Sequence, residues 1–332
     1  MRLQTIRELR DSFSGDKQHP LSGFAQGEPT SLQLSNHDPI RRSIVRTISL
    51  PALKLLQSSA QKRSRFRLSF PYDLLSVGER FGQDASLKVL LHQTRNNSIR
   101  NILIPGSSIV GEDAQFWLRR GIRQLAIVDI WDRRKAWEIA SPFIKNYFGT
   151  DVVFRHCPIE STPFEDASFD LIASQAVLEH VRNISAFCQE TARILRPGGL
   201  AWHAFGPLYF VHGGDHCIAT YGKENGYDHL LLAEKTYREK IKAEDYYKRK
   251  GNSDSRFWAL YDQFSFLTAS EYLRAFSQYF DILHLVVQIS DEGLWFRDRC
   301  SEKWGLLRAA GITEEDLLIK GLTVILRKRS IS

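Results

Sequence analysis

Residues 164–205 read FEDASFDLIASQAVLEHVRNISAFCQETARILRPGGLAWHAF. Within them, SFDLIASQ (168–175) has the length and apolar composition of a buried strand. ISAFCQETARILRPGG (184–199) carries helical spacing and is read as a helix closed by Pro-Gly-Gly, and LAWHAFG (200–206) is again a strand. Strand, helix and strand in this order make a parallel crossover unit, which places the chain in the α/β class.

The pattern continues on both sides. Upstream, the strand candidates NILIP (101–105), QLAIVDI (124–130) and DVVFRHC (151–157) alternate with the helix candidates EDAQFWLRRG (112–121) and DRRKAWEIASPFIKNYFG (132–149). Downstream, TASEYLRAFSQY (268–279) opens with Thr268 and has Glu271 three residues later, the signature of a capping box. FDILHLVVQIS (280–290) and KGLTVILRKRS (320–330) then read as two strands without an intervening repeat unit, so a final antiparallel pair beside the parallel sheet is expected. Residues 14–39, rich in Ser, Gly, Pro and Asn, read as a loop or extended arm.

Composition narrows the class of protein. At 43% hydrophobic and 25% charged residues, the 332-residue chain can build a sizeable core of one large α/β domain with extensions. The net charge of +7 is unevenly placed, because residues 1–100 hold 16 Lys/Arg against 8 Asp/Glu. Within that third, Arg41, Arg42, Arg46, Lys54, Lys62, Arg63, Arg65 and Arg67 surround apolar residues, so the segment 40–67 could touch an anionic membrane surface or pack on the main domain. Cys157, Cys188, Cys217 and Cys300 form no C-x-x-C pair, which argues for a reducing compartment and against structural zinc. With no apolar run of about 18 residues and a charged N-terminus, a cytoplasmic protein is expected.

Three pieces of the chain, in order, carry a resemblance: Phe169-Asp170, Leu178-Glu179-His180 and Arg193-Ile194-Leu195-Arg196-Pro197-Gly198-Gly199. The segment resembles the middle of a class I S-adenosylmethionine-dependent methyltransferase, of the type 11 group that includes ubiquinone-biosynthesis-like enzymes. The resemblance covers roughly residues 100–206. It implies a doubly wound, Rossmann-like seven-stranded sheet of order 3-2-1-4-5-7-6 with the last strand antiparallel. The expected organisation is a basic extension (1–70), a cofactor-binding core (71–206), an acceptor-pocket or lid insertion after the fifth strand (207–266) and a C-terminal helix with antiparallel strands (267–332).

The resemblance also implies cofactor residues at the carboxyl ends of the first strands, where open α/β sheets bind ligands. In ILIPGSSIVG (102–111), Gly106 and Gly111 allow close backbone approach, and Ser107 and Ser108 add hydroxyls. The loop departs from the family pattern in three places. Ile104 replaces an acid, Pro105 stiffens the strand end, and Ser108 stands at a usual glycine. Asp129 is the expected partner of the ribose hydroxyls, with Ile130 beside it. Ile159 is expected to cover the adenine and Glu160 to border it, although Pro158 occupies the usual Asp position. Ser174 and Gln175 end the fourth core strand, where the methyl group should point.

Methyl transfer needs little from side chains beyond positioning and exclusion of water. An acceptor hydroxyl would profit from a base, and the segment 207–266 offers His212, Asp215 and His216 in the spacing H-x-x-D-H. His212 and His216 are therefore the catalytic candidates. Without a third convincing ligand, no metal is assigned. The leading reading is a methyltransferase acting on a small-molecule or glycan-type acceptor at oxygen. The alternatives are a methyltransferase fold that has lost catalysis and serves as a binding or scaffold protein, and, ranked last for want of a recognised nucleic-acid module, an RNA-modifying enzyme. The oligomeric state is not legible.

Overall fold

The computed structural model describes residues 30–34, 89–91, 94, 99–106, 117–118, 120, 122–216, 222–244 and 264–329. Among these residues eight strands form one sheet: β1 (Thr30–Leu34), β2 (Asn101–Pro105), β3 (Gln124–Asp129), β4 (Asp151–His156), β5 (Phe169–Gln175), β6 (Leu195–Phe205), β7 (Phe280–Ile289) and β8 (Ile319–Lys328). Their spatial order is β1-β7-β8-β6-β5-β2-β3-β4. Only β8 runs antiparallel to its neighbours. Leaving β1 aside, this is the seven-stranded order 3-2-1-4-5-7-6.

β1 is an addition to that order. It lies parallel to β7, from Thr30 opposite Leu285 to Leu34 opposite Ile289, and comes from the stretch expected to be a loop or arm. An edge strand is held mainly by backbone hydrogen bonds on one side, so it needs no strong apolar pattern. The basic segment 40–67, and the membrane contact considered for it, lie outside the described residues. Of the helix expected over 112–121, Trp117 and Leu118 are helical and Arg120 is in a turn, the remainder lying outside the described residues.

The central strands are near-continuous apolar runs because both faces of the sheet are covered. On one face, Leu103, Ile172, Ala201 and Leu285 pack with α2 (Ile184–Ile194) and α5 (Ala269–Tyr279) through Phe187, Cys188, Leu273 and Phe276. On the other, Ile102, Ile104, Leu125, Ile127 and Trp202 pack with Trp117 and with Ala140 and Ile144 of α1 (Arg134–Phe148). α1 ends at Gly149, whose φ of 68° provides the left-handed cap and whose N–H donates to the Lys145 carbonyl. α5 starts with the expected capping box, in which the Thr268 hydroxyl accepts from Glu271 N and the Glu271 carboxylate accepts from Thr268 N. Among the described residues no helix is long and apolar enough to cross a membrane.

One boundary differs from the sequence reading. α2 stops at Ile194, and Arg-Pro-Gly-Gly belongs to the first part of β6 instead of closing the helix. Leu195 takes an extended conformation (φ −75°, ψ 136°) and pairs with Phe169, after which the register jumps so that Leu200 pairs with Leu171. Pro197 cannot donate to a regular ladder, and the irregularity accommodates it.

Asp170 fastens this region. Its Oδ2 accepts from the backbone N–H groups of Arg100 (2.6 Å) and Asn101 (2.9 Å), while Oδ1 pairs with Arg196 (2.6 Å). The carboxylate thus joins the start of β2 to β5 and to the bulged start of β6 while itself buried. Asp170→Ala would leave two amides and a guanidinium without their acceptor, and a loss of roughly 3 kcal/mol is expected. Urea unfolding followed by far-UV circular dichroism checks this, and a loss below about 0.5 kcal/mol would show that the anchor is dispensable.

Candidate active site

The reversal of strand order places β2 between β3 and β5, all three parallel, and a cavity of about 570 Å³ opens at their carboxyl ends. Pro105 and Gly106 follow from β2, Val128 to Trp131 from β3, Cys157 to Glu160 from β4, and Ala176, Val177 and His180 to Arg182 from β5. The volume lies in the range of roughly 300–1,000 Å³ usual for small-molecule and cofactor pockets.

Gly106 is the hinge of the β2 exit. Its φ is 72°, its N–H donates to the Val128 carbonyl (2.8 Å), and an added Cβ would come within 2.5 Å of Val177 Cγ2. Both the conformation and the space require glycine. Ser107, Ser108 and Gly111 lie outside the described residues. Ile104 is fully buried in the core below, so no carboxylate stands at that position.

Asp129 ends β3 and is only 5% exposed. Its Oδ1 accepts from Trp131 N (2.8 Å), which fixes the turn, and Oδ2 lies 3.7 Å from Arg133 Nε. One carboxylate therefore shapes the turn and borders the cavity, since its two oxygens offer about four acceptor positions. Ile130 and Trp131, at 50% and 46% exposure, are apolar side chains left open at the cavity wall. Facing them across the β4 exit are Pro158, Ile159 and Glu160, with Ile159 buried.

Two of the expected cofactor residues are placed elsewhere. Ser174 points into the sheet packing, where its hydroxyl bonds His203 Nδ1 at 2.7 Å, and it does not line the cavity. Burial holds His203 neutral by pushing its pKa down to about 3. Gln175 is half-buried at the end of β5 and is likewise absent from the wall, which Ala176 forms in a left-handed conformation (φ 53°). Such a backbone outlier in a residue with a Cβ marks a constrained site.

The H-x-x-D-H residues separate. His212 is buried against Tyr227 and Phe296, packs over Gly226, and its Nε2 meets the Lys223 carbonyl at 2.6 Å. Asp215 accepts from the Tyr237 hydroxyl. His212 is thus a structural residue of the insertion, away from the cavity wall. Gly213 (φ 72°) and His216 (φ 61°) turn the chain so that His216 reaches His180, with ring centroids 5.3 Å apart. Burial lowers the pKa of both histidines, that of His180 to about 4, so both are neutral near pH 7.

Next to them, Glu179 is fully buried, neither carboxylate oxygen has a hydrogen bond of good geometry, and burial pushes its pKa up to about 8 against the opposing pull of the Glu179 and Gly206 backbone amides. The turn Leu178–His180 that presents Glu179 and His180 is held rigidly. Tyr272 Oη donates to the Leu178 carbonyl (2.6 Å), and Ser265 N donates to the Glu179 carbonyl (2.8 Å). His180, Cys157, Arg133 and Arg182 were not among the expected site residues. Only the pair Glu179-His180 stood out in the sequence, as part of the resemblance, and nothing in the pattern indicated that His216 would join it.

Residues 106–202 match the protein family described as "Methyltransferase domain", a span that begins at the Gly106 hinge and contains almost the whole cavity wall. Over this span, less than a third of the chain, the sequence is similar to a methyltransferase domain. Solved structures similar to it include an S-adenosylmethionine-dependent methyltransferase from Methanosarcina mazei (19% identity, TM-score 0.40, covering 72% of this chain and 96% of that one). Another is the YcgJ protein from Bacillus subtilis (17% identity, TM-score 0.41, 74% and 98% covered). A third is geranyl diphosphate C-methyltransferase from Streptomyces coelicolor A3(2), solved with Mg²⁺, geranyl diphosphate and S-adenosylhomocysteine (12% identity, TM-score 0.44, 80% and 85% covered). These likenesses are remote and decide nothing about a substrate. No curated protein matches the sequence.

Gly106→Ala should destabilise the domain by about 1 kcal/mol or more, because it combines an unfavourable φ with a clash at Val177. Adding Val177→Ala should recover part of the loss by removing the clash. Thermal unfolding of the single and double variants measures both contributions.

Proposed function

We propose that the cavity holds S-adenosylmethionine and that the protein transfers its methyl group to a small-molecule or glycan-type acceptor at oxygen. The observation that carries this reading is Asp129, a nearly buried carboxylate at the end of the second core strand that lines the cavity, within the span similar to a methyltransferase domain. In this reading Asp129 accepts the ribose hydroxyls, and Ile130, Trp131 and Ile159 enclose the adenine. Gly106 lets the backbone approach the amino-acid end, and Glu160 borders the ring. When bound, the sulfonium supplies an activated methyl group. The residues of this chain contribute orientation and a wall that excludes water.

The acceptor enters from the side of the insertion. There the polar group it meets at the wall is His180, with His216 behind it, both uncharged. Two neutral imidazoles beside the reaction centre suit a hydroxyl, which must lose a proton as it is methylated. No carboxylate is available to the adenine amino group at Pro158, and Ile104 supplies none to the ammonium, which is what a binding protein without catalysis would show.

Calorimetric titration with S-adenosylhomocysteine separates the two readings. Micromolar binding is expected for the wild type, and Asp129→Ala should weaken it by about 1–3 kcal/mol, roughly 5- to 150-fold. Absence of binding at millimolar concentration would favour the scaffold, and equal affinity in the variant would mean that the ribose lies elsewhere.

A further inference from the structure

Glu179, His180 and His216 each present a ligand atom within 4.8 Å of the other two. They come from two separate parts of the chain. Glu179 and His180 sit on the turn after β5, and His216 sits on the insertion after β6. The three residues combine one carboxylate with two imidazoles, the donor set that borderline first-row divalent ions prefer.

The second observation is the state of those donors. Both oxygens of Glu179 and Nδ1 of His180 are buried without a hydrogen bond of good geometry, the backbone amides of Glu179 and Gly206 being the nearest donors to the carboxylate. Orphaned polar atoms of this kind are rare in folded proteins and call for an ion or an ordered water. A protonated Glu179 could take its C=O to the nearby amides of Glu179 and Gly206 but would still leave its O–H without an acceptor, so neutralisation alone does not resolve the site. The remaining wall is apolar and aromatic, with Phe264 packed on both rings at 5.2 and 5.0 Å. That packing limits the rotations of the rings.

We propose that Glu179, His180 and His216 bind a divalent transition-metal ion such as Zn²⁺. Bond lengths of about 2.0–2.2 Å to nitrogen and oxygen require the three donors to draw together slightly from their present separation. Three protein ligands leave a fourth position free, as in catalytic zinc sites. Because His180 lines the cavity, the ion lies one side chain from the acceptor. If the methyltransferase reading holds, an acceptor hydroxyl on the ion would lose its proton more easily than one facing an imidazole alone. The metal set therefore differs from the sequence spacing H-x-x-D-H, since only His216 of that motif takes part.

The test uses the full chain, stripped with chelator and titrated with Zn²⁺ by calorimetry and with Co²⁺ by visible absorption. One equivalent is expected to bind, with d–d bands of nitrogen and oxygen ligation and no thiolate charge-transfer band. Glu179→Gln and His216→Ala should each weaken binding at least about tenfold, whereas Asp215→Asn should leave it unchanged. Circular dichroism verifies that the variants fold, and the near-isosteric Glu179→Gln keeps the test valid if His216→Ala does not. No stoichiometric binding would show that water fills the cluster, and binding unaffected by Glu179→Gln would place the ion elsewhere; either result overturns the proposal. A parallel titration with S-adenosylhomocysteine keeps the two readings apart: metal binding without it sinks the methyltransferase reading alone, and its binding without metal sinks this site alone.

Discussion

The buried carboxylate of Asp170 is the constraint on which the rest of the domain depends. It ties the backbone at Arg100 and Asn101 to β5 and pairs with Arg196 at the bulged start of β6. Fixing β2 against β5 fixes the point at which strand order reverses, because β3 and β4 then extend on one side and β6 to β8 on the other. The cavity is a consequence of that arrangement. At a reversal the loops diverge to opposite faces of the sheet and leave a crevice between them. Asp170 stands at the amino end of β5 and the cavity at its carboxyl end, so one strand transmits the anchor to the site.

Within the crevice, polar groups are divided by depth. Asp129 and Glu160 border the cavity from β3 and β4, whereas Glu179 and His216 gather behind His180, which forms the wall after β5. Desolvation acts on the second group in one direction, toward uncharged forms. A polar cluster held in apolar surroundings by a turn pinned through Tyr272 and Ser265 is preorganised, and that is the condition under which a few side chains can bind an ion or act on a substrate.

Much of the architecture was legible because its signals are local or periodic. Leu125–Val128 and Leu171–Ala173 are apolar runs that only a two-sided sheet can bury, and Thr268 with Glu271 marks a helix start through hydrogen bonds three residues apart. The place of Asp129 on the cavity wall was legible because the carboxyl ends of parallel strands open onto the crevice. Side-chain direction was not. With Leu171, Ile172 and Ala173 buried on both faces, β5 lacks the alternation that would set its phase, and Ser174 turned toward His203 instead of the cavity. The partner of His216 was also hidden, because two left-handed residues, Gly213 and His216 itself, redirect the chain and separate it from His212. β1 was missed for a different reason, since backbone pairing alone leaves little trace in composition.

The central claim is that the crevice at the carboxyl ends of β2 to β5 is a cofactor site with Asp129 at its ribose end. A crystal structure of the protein grown with S-adenosylhomocysteine tests it most directly. The account predicts the ribose hydroxyls on the Asp129 carboxylate, the adenine between Ile130 and Ile159, and the sulfur toward the side where His180 lines the wall. Ligand density in another part of the molecule, or a crevice that stays empty at saturating ligand, would contradict it.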